Sequence, residues 1–422
     1  MKLYKQLMVA GLVIAATSGC SQKELPVTDT TPAVVNKNED GTLVPEDDAK
    51  LVLWIDNKGY AEAIVAGFNE IYPDVEVQIV EVMDTETTQK IELEGPAGNG
   101  ADVFTLPHDQ FAKSYNSGIL LPLDEDIAQG LEQTIMPNAL SIVQTDTGTY
   151  GVPIITEALA IFYNKDLVEE PATSFEEIFE FAETFNDPLN NQFAFAMNVA
   201  NAYNAYAFLT PYGFELFGPD GTDVDNPGFD TDAFEQGLEF IAELNTILPV
   251  KSLDLAGEFI GEQFKAGKIA YVLDGPWQLE TYKQAGLNLG VMTIPTIDGN
   301  VPTPFAGVKN VHVSAYTDYP NASMLLAQYM GSEEAANILY ETVYKLPALA
   351  DASVVDGLAE DELLSVFLEQ FETAFPMPSV NRISYYWSIG EKAISLVFDG
   401  QVTPAEARAA AVTEWNSLVA SE

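Results

Sequence analysis

The chain of 422 residues carries 64 acidic against 18 basic side chains, a formal net charge of −46, and 47% of it is apolar. A surface of that sign repels phosphate backbones and anionic headgroups, which excludes nucleic-acid binding and adhesion to a membrane through the protein's own surface. A single cysteine and two histidines leave no intrachain disulfide and too few ligands for a transition-metal centre, and the length calls for more than one core.

The chain opens with Lys2 and Lys5, an apolar run over residues 7–16, and the small residues Thr17-Ser18-Gly19 before Cys20. The run is too short for a permanent membrane helix and reads as a secretory signal over residues 1–19. A cysteine at the end of small residues resembles the lipobox of bacterial lipoproteins. That resemblance implies cleavage before Cys20, a lipid on its thiol, and residence on the extracellular face of the cell membrane. Thr17 departs from the usual leucine of that motif. Residues 21–49 are rich in Pro, Thr, Asp, Glu and Asn without an apolar period, so a flexible tether is expected over 20–49.

Order is expected from Lys50. Residues 51–55 (LVLWI) form an apolar run of strand length, followed by a helical period that Pro73 stops, and then by alternating Val75, Val77 and Ile79. Further strands are expected at 102–106, 158–163, 193–199, 269–273, 289–294 and 307–314, with helices dominating from Pro320 onward. Ser174-x-x-Glu177 and Thr403-x-x-Glu406 both fit a capping box, the second with Pro404 at the first helical position. Strands alternating with helices argue for an α/β class with open, mostly parallel sheets. The acidic stretch 220–232 looks like a calcium loop, but Pro227 occupies a ligand position and Phe234 stands where the bidentate glutamate belongs. No metal or other cofactor is implied.

In open α/β sheets ligands bind beyond the carboxyl ends of strands. That rule selects Asn57-Lys58, His108-Asp109, Glu157 and Asp274-Gly-Pro-Trp277. Carboxylates, amides and a lysine beside aromatic rings suit a neutral polyhydroxyl ligand, with charged hydrogen bonds to hydroxyls and ring faces against C–H surfaces. His108, after the third strand, reads as a hydrogen-bonded structural histidine rather than a catalytic base. Trp415 reads as packing, and Trp54 is divided between core and ligand.

Six segments in collinear order resemble the maltose/maltodextrin-binding proteins of carbohydrate ABC importers. They are residues 51–60 (LVLWIDNKGY), 101–111 with ADVF and HDQF, 153–167 (PIITEALAIFYNKDL), 274–277 (DGPW), 304–308 (PFAGV) and 377–387, from Met377-Pro378 to Tyr386-Trp387. The resemblance implies a periplasmic-binding-protein-like α/β fold, with two lobes, a hinge and an interlobe cleft. The lobes are expected at 50–155 plus 310–357 and at 156–305 plus 362–422. It implies hydroxyl-binding roles for Asn57, Lys58, Asp109 and Glu157 and an aromatic platform of Tyr203, Trp277 and Trp387. Arg382 is added as a donor that the family pattern lacks. The sequence departs from the family at Leu106, where a tryptophan is usual, at Gln110 for an arginine, and at Asn201 for an acid. Tyr163 matches a family position that packing alone would explain.

The reading is therefore a monomeric receptor, not an enzyme, that captures maltose or malto-oligosaccharides and delivers them to a membrane permease of an ABC importer. Two alternatives stay open at this point. Leu106, Gln110 and Asn201 leave room for another oligosaccharide, such as a cyclodextrin. Asp109 and Glu157 are also a carboxylate pair of the kind a glycoside hydrolase needs.

Overall fold

The computed structural model describes Lys37, Asn38 and residues 41–422. The expected signal peptide 1–19 and the expected lipidation site Cys20 lie outside the described residues. Among the described residues there are thirteen strands: β1 (Lys50–Ile55), β2 (Glu76–Glu81), β3 (Val103–Pro107), β4 (Gln144–Thr145), β5 (Gly148–Thr149), β6 (Val152–Ala158), β7 (Ala160–Asn164), β8 (Phe193–Ala196), β9 (Ile269–Asp274), β10 (Leu289–Met292), β11 (Phe305–Val313), β12 (Leu346–Pro347) and β13 (Phe375–Pro376). They form a seven-stranded sheet in the order β12-β6-β11-β3-β1-β2 with β13 on β11, a four-stranded sheet β10-β7-β9-β8, and the small hairpin β4-β5.

Local chemistry accounts for the first unit. The apolar run of β1 pairs in parallel with β2 and β3. Asn57 then caps the helix Lys58–Ile71 by accepting from the Tyr60 N–H at 2.9 Å. That helix buries Tyr60, Ala61, Ile64 and Phe68 and ends at Tyr72, where Pro73 disfavours helical backbone in the residue before it. Thr403 and Glu406 form the full reciprocal capping box. At Ser174 only half of it forms: the Ser174 hydroxyl accepts from the Glu177 N–H, while Glu177 reaches past it to the Thr173 N–H at 2.6 Å. After Pro320 the chain is dominated by five helices, Pro320–Met330, Glu333–Val343, Leu364–Glu372, Ile383–Phe398 and Pro404–Val419.

Both sheets are mixed rather than mostly parallel. β11 runs antiparallel to β3 and β6, and β7 runs antiparallel to β9 and β10. The reason is topological: the chain passes from the large sheet to the small one between β6 and β7 and back between β10 and β11, and antiparallel neighbours need no helical crossover. β6 ends in the large sheet at Ala158, a fully buried Leu159 follows, and β7 starts in the small sheet at Ala160. The expected boundary at 155/156 therefore cuts a strand. Likewise all nine residues of β11 are buried and belong to the large sheet from Phe305, not from residue 310.

The end of the expected tether is not free. Leu43 and Ala49 are buried, and the Glu46 carboxylate accepts from the backbone N–H groups of Asn321 at 2.8 Å and Ala322 at 3.0 Å. Those are first-turn donors of the helix Pro320–Met330, which have no partners within the helix. Lys37 pairs with Asp124 at 2.9 Å and Asp126 at 2.7 Å. Composition concealed this docking because two apolar residues and one capping glutamate suffice to hold the strap.

Candidate ligand-binding cleft

The carboxyl end of β3, the first turn of the helix Asp84–Glu94 that follows β2, and the middle of β11 meet the helices of the smaller sheet around a cleft of about 290 Å3. One wall is Thr85, Pro107, His108, Asp109, Val308 and Lys309. The other is Asn201, Tyr203, Trp277, Trp387 and Glu391, and Glu157, Gly307 and Met377 lie at the crossover. The cleft thus gathers five of the eight residues selected from sequence: Asp109, Glu157, Tyr203, Trp277 and Trp387.

His108 is fully buried and fixes the polar wall. Its Nδ1 accepts from the Val308 N–H at 2.9 Å, so Nε2 carries the proton and donates to the Met377 carbonyl at 2.7 Å. Burial holds the imidazole below its ordinary pKa, and a neutral ring is what both bonds require. The histidine ties the end of β3 to β11 and to the segment after β13. It aims the next residue, Asp109, at the cleft. Burial pushes the Asp109 carboxyl up, against the lowering effect of its surroundings, the backbone N–H groups of Asp109 and Gln110 and the Trp387 indole among them.

Glu157 is the one half-exposed residue of the otherwise buried β6. It sits opposite Gly307 in register and 3.8 Å from the ammonium of Lys345. A Cβ added at Gly307 would fall 3.3 Å from the Tyr203 hydroxyl, so the glycine leaves room for this phenol beside Glu157. Burial, followed by the charges of Glu157 and Asp109, keeps the Tyr203 phenol far above its ordinary pKa and protonated. Behind it Phe305 stacks on Tyr206 at 3.6 Å between centroids and 10° between planes, and meets Trp387 edge-on at 5.9 Å. The aromatic wall therefore rests on a packed aromatic layer.

Two charged cleft residues escaped the sequence reading. Lys309 projects from an apolar strand and pairs with Asp56 at 2.7 Å and with Asp84. Burial would push its pKa down, but Asp84, Glu157 and Asp56 together hold it above the ordinary value. Glu391 lies one helical turn after Trp387 and therefore on the same face of its helix. Its four-residue spacing from Trp387 was the signal that could have found it; for Lys309, a cation inside a run of strand residues was the corresponding clue.

Three selected residues do not face the cleft. Asn57 uses its side chain as a helix cap. Lys58 is exposed and lies 3.7 Å from Glu62. Arg382 is a clear departure: its guanidinium donates to both carboxylate oxygens of Glu422 at 2.9 and 2.7 Å, to Asp225 at 2.7 Å and to the Val224 carbonyl at 2.9 Å. In so acidic a chain, a rare arginine is captured by neighbouring carboxylates. Of the departures, Leu106 is buried, Gln110 is held by Thr88 and the Thr85 carbonyl, and Asn201 caps a short helix beside Tyr203. Trp54 and Trp415 are core residues. The acidic stretch 220–232 is drawn to Arg408, which pairs with Asp230, Asp232 and the nearby Glu235.

Two α/β lobes joined by returning strands, with a polar wall facing an aromatic wall across their junction, define a two-lobed solute-binding protein. The profile of the bacterial extracellular solute-binding proteins matches residues 63–365, and the chain belongs to that family. A maltodextrin-binding protein of Bacillus subtilis is 31% identical over 364 residues, spanning 83% of this chain and 85% of the relative. A galactooligosaccharide-binding protein of the same organism is 27% identical over 372 residues, spanning 85% and 87%. The crystal structure of a cyclo/maltodextrin-binding protein complexed with maltotetraose matches with a TM-score of 0.78 and 28% identity, over 89% of this chain and 98% of that one. Among the described residues no helix is long and apolar enough to cross a membrane, and no cluster of side chains is suited to a metal ion.

Proposed function

We propose that this protein is the receptor of a carbohydrate ABC importer, which takes malto-oligosaccharide into the interlobe cleft and passes it to the membrane permease without chemical change. The observation that carries the reading is the pairing of Asp109 and Glu157 on one side with Tyr203, Trp277 and Trp387 on the other. Carboxylates accept hydroxyl hydrogen bonds, and rings cover the C–H faces of pyranose units, at roughly 0.5–1.5 kcal/mol per aromatic contact beyond burial. The similarity to a maltodextrin-binding protein supports the choice of sugar, and membership of a solute-binding family supports a role without catalysis. Closure of the lobes about the crossover at Leu159 would trap the ligand. A lipid on Cys20 would hold the monomeric receptor on the extracellular face of the membrane, next to its permease.

Titration calorimetry of the chain lacking residues 1–20 tests the reading with maltose, maltotriose and longer maltodextrins. Galacto-oligosaccharide, cellobiose and a cyclodextrin serve as controls. One-to-one binding strongest for an α-1,4-linked glucan, with intact sugar recovered afterwards, is the expected result. Preference for a control sugar overturns the choice of ligand, and turnover of the sugar overturns the receptor role.

A further inference from the structure

We propose that Lys345 is the positioning residue for Glu157, holding the carboxylate where it meets a sugar hydroxyl without touching the sugar itself. The inference rests on Glu157 being ligand-facing, as the proposed function has it. β6 lies between β12 and β11 in the large sheet, so Glu157 has a neighbour on each side. On the β11 side stands Gly307, with the Tyr203 hydroxyl close by. On the β12 side the antiparallel register pairs Leu346 with Thr156 and Pro347 with Ile155. One step further it sets Lys345 opposite Glu157, and residues opposite each other in such a pair share a face. The Lys345 ammonium lies 3.8 Å from Glu157 Oε1, and the two side chains are only 15% and 18% exposed. Among the described residues Glu157 has no other ion-pair partner. Lys309, the cation on the cleft wall, is already held by Asp56 and Asp84. Lys345 is not part of the cleft lining, so it reaches the site through Glu157.

The backbone that delivers this lysine is itself constrained. The helix Glu333–Val343 ends at Tyr344, whose φ of 51° and ψ of 44° lie in the left-handed region that favours glycine. The Tyr344 N–H bonds the Tyr340 carbonyl at 3.1 Å, and the chain turns from the helix into β12 within two residues. Contacts of the ring keep a tyrosine at this corner. The Lys283 ammonium lies 4.5 Å from the ring centre, and Tyr340 meets the ring edge-on at 6.1 Å and 76°. Lys283 belongs to the helix Leu279–Gln284, just after Trp277, and also lies 3.8 Å from Asp361. The corner that presents Lys345 is thus braced by the lobe that carries the aromatic wall. A glutamate side chain gives up several rotamers when it is ordered. Fixing Glu157 before the ligand arrives removes that cost from binding.

The experiment runs two double-variant cycles on the chain lacking residues 1–20, with K345M, E157Q and the two combined. Calorimetric titration with maltotriose is the first. K345M keeps the length of the stem and removes the charge, and it is expected to weaken binding by about tenfold. K345R restores a cation and is expected to bind within about threefold of the wild type. In the E157Q background K345M is expected to cost nothing further, because no carboxylate remains to be held. Wild-type affinity in K345M, a K345R variant as weak as K345M, or additive losses in the double variant overturns the proposal. Urea unfolding of the same proteins without sugar is the second cycle. It is expected to show a coupling of about threefold or more in the folding equilibrium, and additive effects there overturn the ion pair on which the proposal stands. Should the wild type bind no maltodextrin, the proposed ligand falls, and this second cycle still decides whether Lys345 holds Glu157.

Discussion

Asp109 and Trp387 line one cleft from its two walls, with the indole placed where it lowers the pKa of the carboxylate. Asp109 follows β3 of the large sheet, whereas Trp387 rides on a helix packed against the helices Asp232–Leu244 and Pro404–Val419. One residue pair thus joins the two kinds of sugar recognition. Trp387→Phe keeps a ring and removes the donor. It is expected to lose less maltodextrin affinity than Trp387→Ala, whose loss is about two- to tenfold for the stacking alone. Calorimetric titration of both variants measures the division.

Lys309 carries a structural load inside the site. Replacing it with methionine leaves Asp56 and Asp84 close together without their shared cation, with Thr105 still donating to Asp84 at 2.6 Å. Stability is expected to fall by about 3–5 kcal/mol, the usual cost of stranding a buried charge. Urea unfolding at neutral pH checks this. A further loss is expected as the pH rises, because the stranded carboxylates must ionise without compensation.

The strap before β1 is part of the folded body. Glu46→Ala removes the acceptor for two first-turn donors of the helix Pro320–Met330. A loss of about 1 kcal/mol is expected, as for other helix caps, with sugar affinity unchanged. A chain beginning at Lys50 should be less stable still, because Leu43 leaves its buried place. Thermal unfolding of the two forms against the full strap makes the measurement.

Arg382→Ala is expected to leave affinity for every sugar unchanged, since the guanidinium is spent on Glu422, Asp225 and Val224 away from the cleft. A loss of binding would show that the arginine leaves those partners when ligand arrives.

Asp274 makes stability respond to pH. Folding raises its carboxyl from the ordinary 3.8 to about 6. A group raised in this way gives its full contribution to stability below about pH 3.8 and loses it as the pH rises through about 6. The stability of the wild type relative to D274N should therefore decline across that window. Urea unfolding at a series of pH values measures the trend.

Much of this was written in local pattern. The strands at 51–55 and 269–273, the capping at Ser174 and Thr403, and the aromatic and acidic residues after strand ends all depend on neighbours within a few positions. Strand direction did not show, because an apolar run is equally apolar whichever way its partner runs. The docked strap was hidden by its polar composition, and Arg382 was misplaced because nothing local says which carboxylate will reach a guanidinium first.

The sequence by itself determined the α/β class, the segments that end at the cleft, and the chemical types that stand there. Tertiary structure alone decided which of those groups face the same space. Asp109, Glu157, Tyr203, Trp277 and Trp387 come from separate stretches of chain and meet only because the chain crosses between the sheets after β6 and again before β11. It also decided that Lys309 and Glu391 join them and that Asn57, Lys58 and Arg382 do not. Periodicity and capping are properties of adjacent residues, whereas a cleft is set by contacts between residues far apart in the chain, which one-dimensional order does not encode.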